Sequence, residues 1–345
     1  MMLQKLATQA LTMLPPEAAH RATIELLRSP FVPAVSAASD PALATSLAGM
    51  ELPNPIGMAA GFDKNAEVPA ALLRLGFGFV EVGAVTPRPQ PGNPSPRVFR
   101  LRQDAAVINR YGFNNDGLEK IGRRLKAQAA KPGIVGINLG ANKDSEDRTQ
   151  DYVTSLQALE DHVAFLTVNV SSPNTQGLRS LQAKGALTDL LTRVMAARTT
   201  SKPVFVKVAP DLSDEERSDI AAAALEAHVD GMIISNTTLG REGLQSRDRD
   251  QAGGLSGRPL FEKSTRILRD FAVETQGQLP LIGVGGIFSA QDALTKIKAG
   301  ATAVQLYTAL IYEGPALVGR MRAELPGLLK AEGFKTVKDA VGAAL

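Results

Sequence analysis

The sequence predicts a closed (β/α)8 barrel preceded by a helical extension. Its 345 residues contain eight short apolar runs rich in β-branched residues, most of them followed by a turn and a helical stretch. Strands that alternate with helices form parallel sheets, and nearly continuous apolar strands fit a sheet that is buried on both faces. No G-x-G-x-x-G follows the first run, which argues against an open dinucleotide-binding sheet. Eight such units favour the closed barrel.

The first part of the chain differs from the rest and predicts an amphipathic helical hairpin. Helical spacing in its first arm runs through Leu3, Leu6, Ala7, Ala10, Leu11 and Leu14. Pro15 ends this arm, and Pro16 can open a second helix, which runs to Arg28. Residues 30–45 are expected to form a connector. We therefore divide the chain into a hairpin over residues 1–40 and a barrel domain over residues 41–345.

The barrel strands are predicted from residue 54 onwards. They are NPIGMAA (54–60), FVEVGAV (79–85), GIVGINLG (133–140), FLTVNVS (165–171), PVFVKVA (203–209), GMIISNT (231–237), LPLIGVGG (279–286) and AVQLYTA (303–309). Helices are predicted over 66–75, 148–161, 186–199, 214–228, 259–275, 289–298 and 314–332. The stretch 86–116, rich in Pro, Gly and Arg, is long for a strand-to-helix connection, which indicates a functional loop.

Composition excludes several kinds of function. Lys and Arg exceed Asp and Glu by only 38 to 35, so the charge gives no reason to expect a nucleic-acid partner. The absence of cysteine excludes disulfides, thiolate metal sites, iron–sulfur clusters and a cysteine nucleophile. The only histidines are His20, His162 and His228, so we predict no metal site. No apolar run is long enough for a transmembrane helix, and Gln4 and Lys5 break the only signal-like stretch.

Polar residues inside the predicted strands mark a site at the carboxyl end of the barrel, where barrel enzymes place their active sites. Asn138, Asn169 and Lys207 lie within apolar runs, and a lysine in a buried strand is costly unless it is paired. Other Asn, Ser, Thr and Gly residues at the strand ends fit turn and cap roles equally well. A site rich in amides and lysines and poor in carboxylates suits a flat, anionic ligand with many heteroatoms.

Two glycine-rich turns predict a phosphate-binding site. The segment Gly283–Gly286 follows the seventh strand and precedes a helix with Ser289 as its N-cap and Asp292 three residues later. The segment Gly254–Gly257 follows the sixth strand. Barrels often bind phosphate at the loops after strands seven and eight, close to a helix N-terminus. Either turn alone could be a simple cap, but the two together favour phosphate binding.

The chain closely resembles the class 2 dihydroorotate dehydrogenases. The matching strings are AAGFDKN (59–65), VEVGAVTPRPQPGNPSPRVFRL (80–101), NRYGFNN (109–115), GINLGAN (136–142), VNVSSPNT (168–175), FVKVAPDL (205–212), SNTT (235–238), GGLSGRPL (253–260), GVGGI (283–287) and QLYTAL (305–310). They run in order across nearly the whole chain, and the resemblance includes the N-terminal extension. It implies an FMN-containing barrel that oxidises dihydroorotate to orotate in UMP biosynthesis, with a quinone as electron acceptor.

The resemblance also assigns roles to individual residues. It places FMN against Ala60, Gly61, Lys64, Ala84, Asn138, Asn169, Lys207, Ser235, Gly257, Gly286, Tyr307 and Thr308. It lines the substrate site with Lys64, Asn109, Arg110, Tyr111, Gly112, Phe113, Asn169, Asn174, Asn236 and Thr237. Ser172 would be the catalytic base, and His20, Arg100 and Tyr307 would serve the quinone. Ala84 stands where the family usually has Ser or Thr, and Ser235 stands where Thr is common.

The chemistry implied by this resemblance divides between cofactor and protein. The substrate loses a hydride from C6 to the flavin, and a base must take the proton from C5. Serine is a weak base, and the sequence shows no histidine partner for Ser172. Lys207 would stabilise the anionic reduced flavin by Coulomb attraction, and Lys64 would pair with the orotate carboxylate or the flavin.

Two other functions compete with this one. A related FMN barrel could use fumarate or NAD as acceptor, but such relatives typically carry a cysteine base, and this chain has no cysteine. A flavin-free barrel could bind phosphorylated ligands without redox chemistry. Flavin absorbance of the purified protein distinguishes the flavin-free barrel from both FMN-containing enzymes.

The hairpin over residues 1–40 is expected to form a membrane-facing entrance for the quinone. Its apolar residues include Ile24, Leu26 and Leu27 on the second arm, and interfacial helices bind membranes through such a face. For a bacterial source this implies a monomer attached peripherally to the cytoplasmic face of the cell membrane. The alternative is that the hairpin packs as a cap on the bottom of the barrel.

Overall fold

The computed structural model describes residues 11–29, 39–175 and 177–345. Its strands are β1 (Thr45–Leu47), β2 (Met50–Leu52), β3 (Ile56–Met58), β4 (Phe79–Val85), β5 (Val98–Leu101), β6 (Ala106–Asn109), β7 (Val135–Leu139), β8 (Phe165–Asn169), β9 (Val204–Val208), β10 (Gly231–Ile234), β11 (Gly254–Gly257), β12 (Leu281–Val284) and β13 (Ala301–Leu306). Its helices are α1 (Pro16–Arg28), α2 (Pro69–Arg74), α3 (Leu118–Ala129), α4 (Arg148–Leu159), α5 (Lys184–Ala197), α6 (Asp214–Glu226), α7 (Phe261–Glu274), α8 (Ala290–Lys298), α9 (Thr308–Glu313), α10 (Ala316–Ala331) and α11 (Val337–Ala340).

Eight parallel strands close into a barrel in the order β10-β12-β13-β3-β4-β7-β8-β9. Each of the eight predicted strands is present, and the predicted closure is confirmed. Pairing brings Asn169 of β8 beside Lys207 of β9, and Asn138 of β7 beside Gly83 of β4. The polar residues predicted inside the strands therefore lie at one level near the carboxyl end.

Three phenylalanine rings fill the amino-terminal end of the barrel. Each ring lies against a glycine of a neighbouring strand, and a Cβ at that glycine would come within 2.3 to 2.5 Å of the ring. The pairs are Gly57 with Phe79, Gly136 with Phe165, and Gly231 with Phe205. Alternating large and small residues in this way gives a dense layer without voids. Ligands must therefore enter from the carboxyl end.

A short antiparallel hairpin, β1 paired with β2, covers this end of the barrel. Leu47 and Leu52 are buried in the same cluster as the three rings. The sequence favours a connector up to residue 45 and predicts neither strand. Strands of three residues are too short to show a reliable alternation of apolar and polar side chains.

The loop 86–116 contains β5 and β6, which form a separate antiparallel sheet with β11. Helix α3 follows this loop, and the sequence analysis misses it, although Ile121 and Leu125 are buried at helical spacing. Strand β13 ends at Leu306, earlier than predicted, and Thr308 begins α9. The long connection between β4 and β7 is thus a folded platform beside the barrel mouth.

Helix α1 confirms the second arm of the predicted hairpin. Residues 11–13 are also helical, whereas the rest of the first arm, with Leu3, Leu6, Ala7 and Ala10, lies outside the described residues, as does the segment 30–38. Helix α1 packs on β5 and α2 rather than against the β1–β2 end. The alternative of a cap on the barrel bottom is therefore wrong for α1.

Polar contacts fasten α1 to the barrel domain. Glu17 forms an ion pair with Arg97 at 3.0 Å, and Arg28 pairs with Glu67 at 3.1 Å. The Arg100 guanidinium donates to the carbonyl of Leu14 at 2.8 Å. None of the helices in the described ranges is long and apolar enough to cross a membrane.

Candidate active site

A cavity of about 520 Å³ opens at the carboxyl end of the barrel and extends along α1. Its lining includes every residue that the sequence analysis assigned to cofactor, substrate, base or quinone, except Arg110. The Arg110 side chain instead donates to the Ala252 and Pro96 carbonyls at 3.1 and 2.9 Å. It therefore ties loops together and does not line the cavity.

A chain of hydrogen bonds crosses the floor of this cavity. The carboxylate of Glu81, which is fully buried, accepts from Asn138 Nδ2 at 2.6 Å and from Gln305 Nε2 at 2.7 Å. Asn138 Oδ1 accepts from Asn169 Nδ2 at 2.8 Å. Asn169 Oδ1 in turn accepts from the hydroxyl of Ser171 at 2.8 Å. The two predicted asparagines are therefore parts of one network.

Lys207 lies at the same level and is 4% exposed. Burial lowers the pKa of Lys207, and the negative charge of Glu81 partly offsets this effect. No hydrogen-bond partner for its ammonium group occurs within the part of the chain that the structure describes. A buried ammonium without a partner is unfavourable, so this group is suited to a bound anion.

The segment after β8 carries Ser172, which lines the cavity and is 6% exposed. Its Oγ accepts from the backbone N–H of Asn174 at 3.3 Å. Arg179 anchors this segment by donating to the Ser171 carbonyl and to the Thr237 carbonyl, both at 3.1 Å. Across residues 11–29, 39–175 and 177–345, no carboxylate or histidine hydrogen bonds to Ser172.

A second lysine lies on the opposite side of the mouth. Lys64 Nζ donates to the Gly61 carbonyl at 2.7 Å and lies 4.1 Å above the centre of the Tyr111 ring. Burial, together with the charge of Arg97, lowers the pKa of Lys64 to about 8. The group remains largely protonated at pH 7, so it can attract a carboxylate or another anion.

Amide groups of three loops meet above the floor. Asn174 Nδ2 donates to Asn109 Oδ1 at 3.3 Å, which joins the segment after β8 to the end of β6. Asn236 Nδ2 donates to Ser171 Oγ at 2.9 Å, and Asn236 Oδ1 accepts from the N–H of Thr237. These amides can donate and accept, as recognition of a ring with carbonyl and N–H groups requires.

The predicted phosphate turns come together at one edge of the cavity. Gly257 and Gly286 both line it and have φ values of +102° and +76°. Ser289 caps α8 as predicted by accepting from the N–H of Asp292 at 3.1 Å. Thr308 donates to Ser256 Oγ at 2.8 Å, which ties the start of α9 to β11.

Gly286→Ala is expected to lower stability and ligand retention. A Cβ at Gly286 would meet the Phe261 backbone at 2.5 Å, so the first turn of α7 would have to move. Gly277→Ala is the matched control, because Gly277 also has positive φ but has no atom within 4 Å of the new Cβ. Chemical denaturation should show a loss of about 1 kcal/mol for the control from backbone strain. It should show a clearly larger loss for Gly286→Ala, and equal losses would contradict the packing argument.

Aromatic rings connect α1 to the cavity floor. His20 lies 5.4 Å from Phe62, and Phe62 lies 5.5 Å from Tyr307, both pairs in edge-to-face geometry. Burial, together with the charge of Lys64, lowers the pKa of His20 to about 3. The imidazole is therefore neutral at physiological pH, whereas Arg100 brings a charged side chain to the same branch of the cavity.

The sequence analysis missed Glu81 and Gln305, which hold one end of the floor network. Both lie inside predicted apolar strands, in FVEVGAV and AVQLYTA. The signal that identified Lys207, a polar residue within a buried strand, would have found them. Among the described residues no cluster of His, Asp and Glu could hold a metal ion.

Comparison with known proteins identifies the family. A sequence profile described as dihydroorotate dehydrogenase matches residues 42–329. A protein of Parvibaculum lavamentivorans named dihydroorotate dehydrogenase (quinone) is 54% identical over 339 residues, covering 98% of this chain and 97% of that protein. One of the same name from Cereibacter sphaeroides is 53% identical over 343 residues, covering 99% and 97%.

Solved structures agree with the sequence relatives. The crystal structure of DHODH from Eimeria tenella in complex with ferulenol has a TM-score of 0.93 and 39% sequence identity, and the match covers 96% of this chain and 98% of that one. The ligand-free DHODH of the same organism has a TM-score of 0.92 and 41% identity, with coverage of 95% and 99%. The chain therefore belongs to the dihydroorotate dehydrogenase family.

Proposed function

We propose that this enzyme oxidises dihydroorotate to orotate in pyrimidine biosynthesis, with FMN held at the barrel mouth and a quinone as electron acceptor. The observation that carries the proposal is the shape and lining of the cavity. It joins the lysine- and amide-rich floor to an apolar branch along α1. A polar substrate and an apolar acceptor can thus reach the same cofactor from different sides.

The floor fits a flavin mononucleotide. The ammonium of Lys207 has no partner among the described residues, and an anionic ring would supply one. Gly257 and Gly286 have no side chain to block a phosphate group, and their turns lie next to the start of α9. The remaining FMN contacts are proposed to come from Ala60, Gly61, Lys64, Ala84, Asn138, Asn169, Ser235, Tyr307 and Thr308. When bound, FMN supplies the acceptor for the hydride from C6 of dihydroorotate.

The chain itself must hold the substrate and take its C5 proton. Ser172 lines the cavity on the segment after β8, and we assign this proton to its Oγ. Lys64 is placed to pair with the substrate carboxylate. The amides of Asn109, Asn174 and Asn236 are placed to match the carbonyl and N–H groups of the ring. Analogues that leave these buried groups unpaired should bind poorly.

The quinone is proposed to enter along α1. His20 and Arg100 line this branch, and Phe62 and Tyr307 lie between it and the floor. The neutral imidazole of His20 suits a quinone head group because it places no charge against an apolar ligand. His20 thus comes from α1, and Arg100 comes from β5, against which α1 packs.

The outer side of α1 and of the turn before it carries exposed apolar residues. Met13, Leu14 and Leu26 are 83%, 43% and 58% exposed. Amphipathic helices with such a face lie in the membrane interface without spanning it. We propose peripheral attachment of a monomer to the cytoplasmic face of the cell membrane, for a bacterial source. Binding of the purified protein to lipid vesicles tests this attachment.

The purified protein is expected to be yellow and to release one FMN per chain on denaturation. This stoichiometry follows from the single floor with its two glycine turns and Lys207. Absorbance of the supernatant after heat denaturation, together with phosphate analysis of the released flavin, measures it. A folded, colourless protein that does not take up FMN would instead favour the flavin-free barrel. An acceptor screen with quinone, fumarate and NAD distinguishes the related FMN enzymes.

A further inference from the structure

Glu81 is a buried carboxylate to which the proposed mechanism gives no role. It is fully buried in the second residue layer of the barrel, above the phenylalanine rings. Its two oxygens accept from Asn138 Nδ2 and Gln305 Nε2. An ionised carboxylate can only accept hydrogen bonds, so both amides must turn their NH2 groups towards it.

The orientation of each amide group in the floor fixes the orientation of the next one. Because Asn138 directs its nitrogen at Glu81, its Oδ1 faces Asn169 and accepts from Asn169 Nδ2. Asn169 Oδ1 must then face Ser171, where it accepts from the backbone N–H at 3.2 Å and from the hydroxyl. Ser171 Oγ accepts from Asn236 Nδ2.

Asn236, at the other end of this hydrogen-bond network, independently requires the same orientation of the amides. Asn236 Oδ1 accepts from the backbone N–H of Thr237 at 2.8 Å, so its nitrogen must face Ser171. The amide oxygens of Asn138, Asn169 and Asn236 therefore each accept a hydrogen bond within this network. Asn138, Asn169 and Asn236 each use one N–H within the network, so their second N–H remains available to a ligand.

We propose that Glu81 is a positioning residue that makes Asn138 and Asn169 present N–H donors to the cofactor. The inference rests on the proposed function, in which Asn138 and Asn169 contact FMN. It specifies the chemistry of the ligand edge at these two residues: carbonyl oxygens or ring nitrogens that accept. Glu81 also supplies the negative charge that supports the buried ammonium of Lys207.

Glu81→Gln tests the direction of the amides with almost no change in shape. The glutamine amide would offer one oxygen and one NH2 group to the NH2 groups of Asn138 and Gln305. Only one of these two groups would then keep an acceptor. Either Asn138 turns and breaks its bond to Asn169, or Gln305 loses its acceptor. A buried donor left without a partner is unfavourable. We expect FMN to bind about tenfold more weakly or worse.

The double variant Glu81→Gln with Gln305→Glu should restore binding. The amide oxygen introduced at position 81 can then accept from Asn138, while the NH2 group of the same amide donates to the new carboxylate at position 305. The net charge and the number of floor hydrogen bonds match those of the original chain. Thr167→Val is the control for packing, because Thr167 is buried in the same layer and its hydroxyl has no hydrogen-bond partner in the described part of the chain.

The experiment compares the full-length flavin-loaded proteins. Flavin fluorescence on dilution and heating reports FMN release, and the visible absorption and circular dichroism spectra report the surroundings of the bound ring. The proposal expects weak retention and altered spectra for Glu81→Gln, and recovery to within about threefold in the double variant and in Thr167→Val. Unchanged retention and spectra in Glu81→Gln would overturn it.

Two further outcomes are decisive. If Glu81→Gln does not fold, a double variant that folds and holds FMN supports the proposal, and one that fails contradicts it. If the unaltered protein holds no FMN, the proposed cofactor itself is wrong, and this result is distinct from any difference among the variants.

Discussion

Ser172→Ala is expected to slow the reduction of the bound flavin by dihydroorotate by about 10²–10⁴-fold, the usual effect of losing a general base. FMN should remain bound, because the only hydrogen bond of the Ser172 hydroxyl within the described part of the chain comes from the N–H of Asn174. Anaerobic stopped-flow mixing with dihydroorotate measures the bleaching of the flavin in a single turnover. This isolates the step from quinone reduction.

The control must come from the same segment but outside the site. Ser180 is exposed, and its hydroxyl donates to the Gly177 carbonyl. Ser180→Ala should therefore leave flavin reduction near normal. Ser171→Ala is unsuitable as a control, because the Ser171 hydroxyl links Asn169 and Asn236 in the floor network. Near-normal bleaching in Ser172→Ala would assign the base to another group.

Deletion of residues 1–40 is expected to abolish quinone reduction and binding to lipid vesicles, while dihydroorotate still bleaches the flavin. The deletion removes α1, which lines the apolar branch of the cavity, but leaves the floor and the segment that carries Ser172. Steady-state turnover with a quinone and single-turnover bleaching separate the two half-reactions. If the truncated protein keeps full quinone turnover, α1 is only a cover.

Ala19→Trp in the full-length chain addresses the same branch without removing any segment. Ala19 is buried on α1 and lines the cavity, so a larger side chain there narrows the passage to Phe62 and Tyr307. Quinone turnover should fall while bleaching by dihydroorotate remains. Loss of both half-reactions would show instead that the substitution disturbs the floor.

The sequence alone predicts the barrel, and all but one of the residues that it assigns to the site line the cavity. Buried parallel strands are continuous apolar runs, so the eight strands are visible without a structure, and a lysine within such a run identifies Lys207. Short antiparallel elements such as β1, β2, β5 and β6 have only three or four residues each and leave little local signal. Polar residues within buried strands could have marked Glu81 and Gln305, but the sequence does not show that Gln305 donates to Glu81, because the two lie 224 positions apart.

Arg110 and Ser172 differ from the other predicted site residues. Arg110 is a cation next to predicted substrate residues in the sequence. Its guanidinium, however, donates to the carbonyls of Pro96 and Ala252 and does not line the cavity. The orientation of this side chain depends on the path of β5 and β6, which the sequence does not show. The activation of Ser172 is not explained by sequence or by the contacts of the described residues, so its role as the base remains a prediction.

With FMN as the proposed cofactor, the buried ammonium of Lys207 would link the abundance of the enzyme to the supply of riboflavin. A chain without cofactor must bury the Lys207 ammonium without a hydrogen-bond partner among the described residues, at a cost of about 1–3 kcal/mol or more. A ligand that binds only the folded chain adds about 2.7 kcal/mol of stability at 100 times its Kd. Chains that do not acquire flavin therefore unfold more often and are exposed to proteolysis. In a riboflavin-starved cell, the amount of this enzyme should fall even when its synthesis does not.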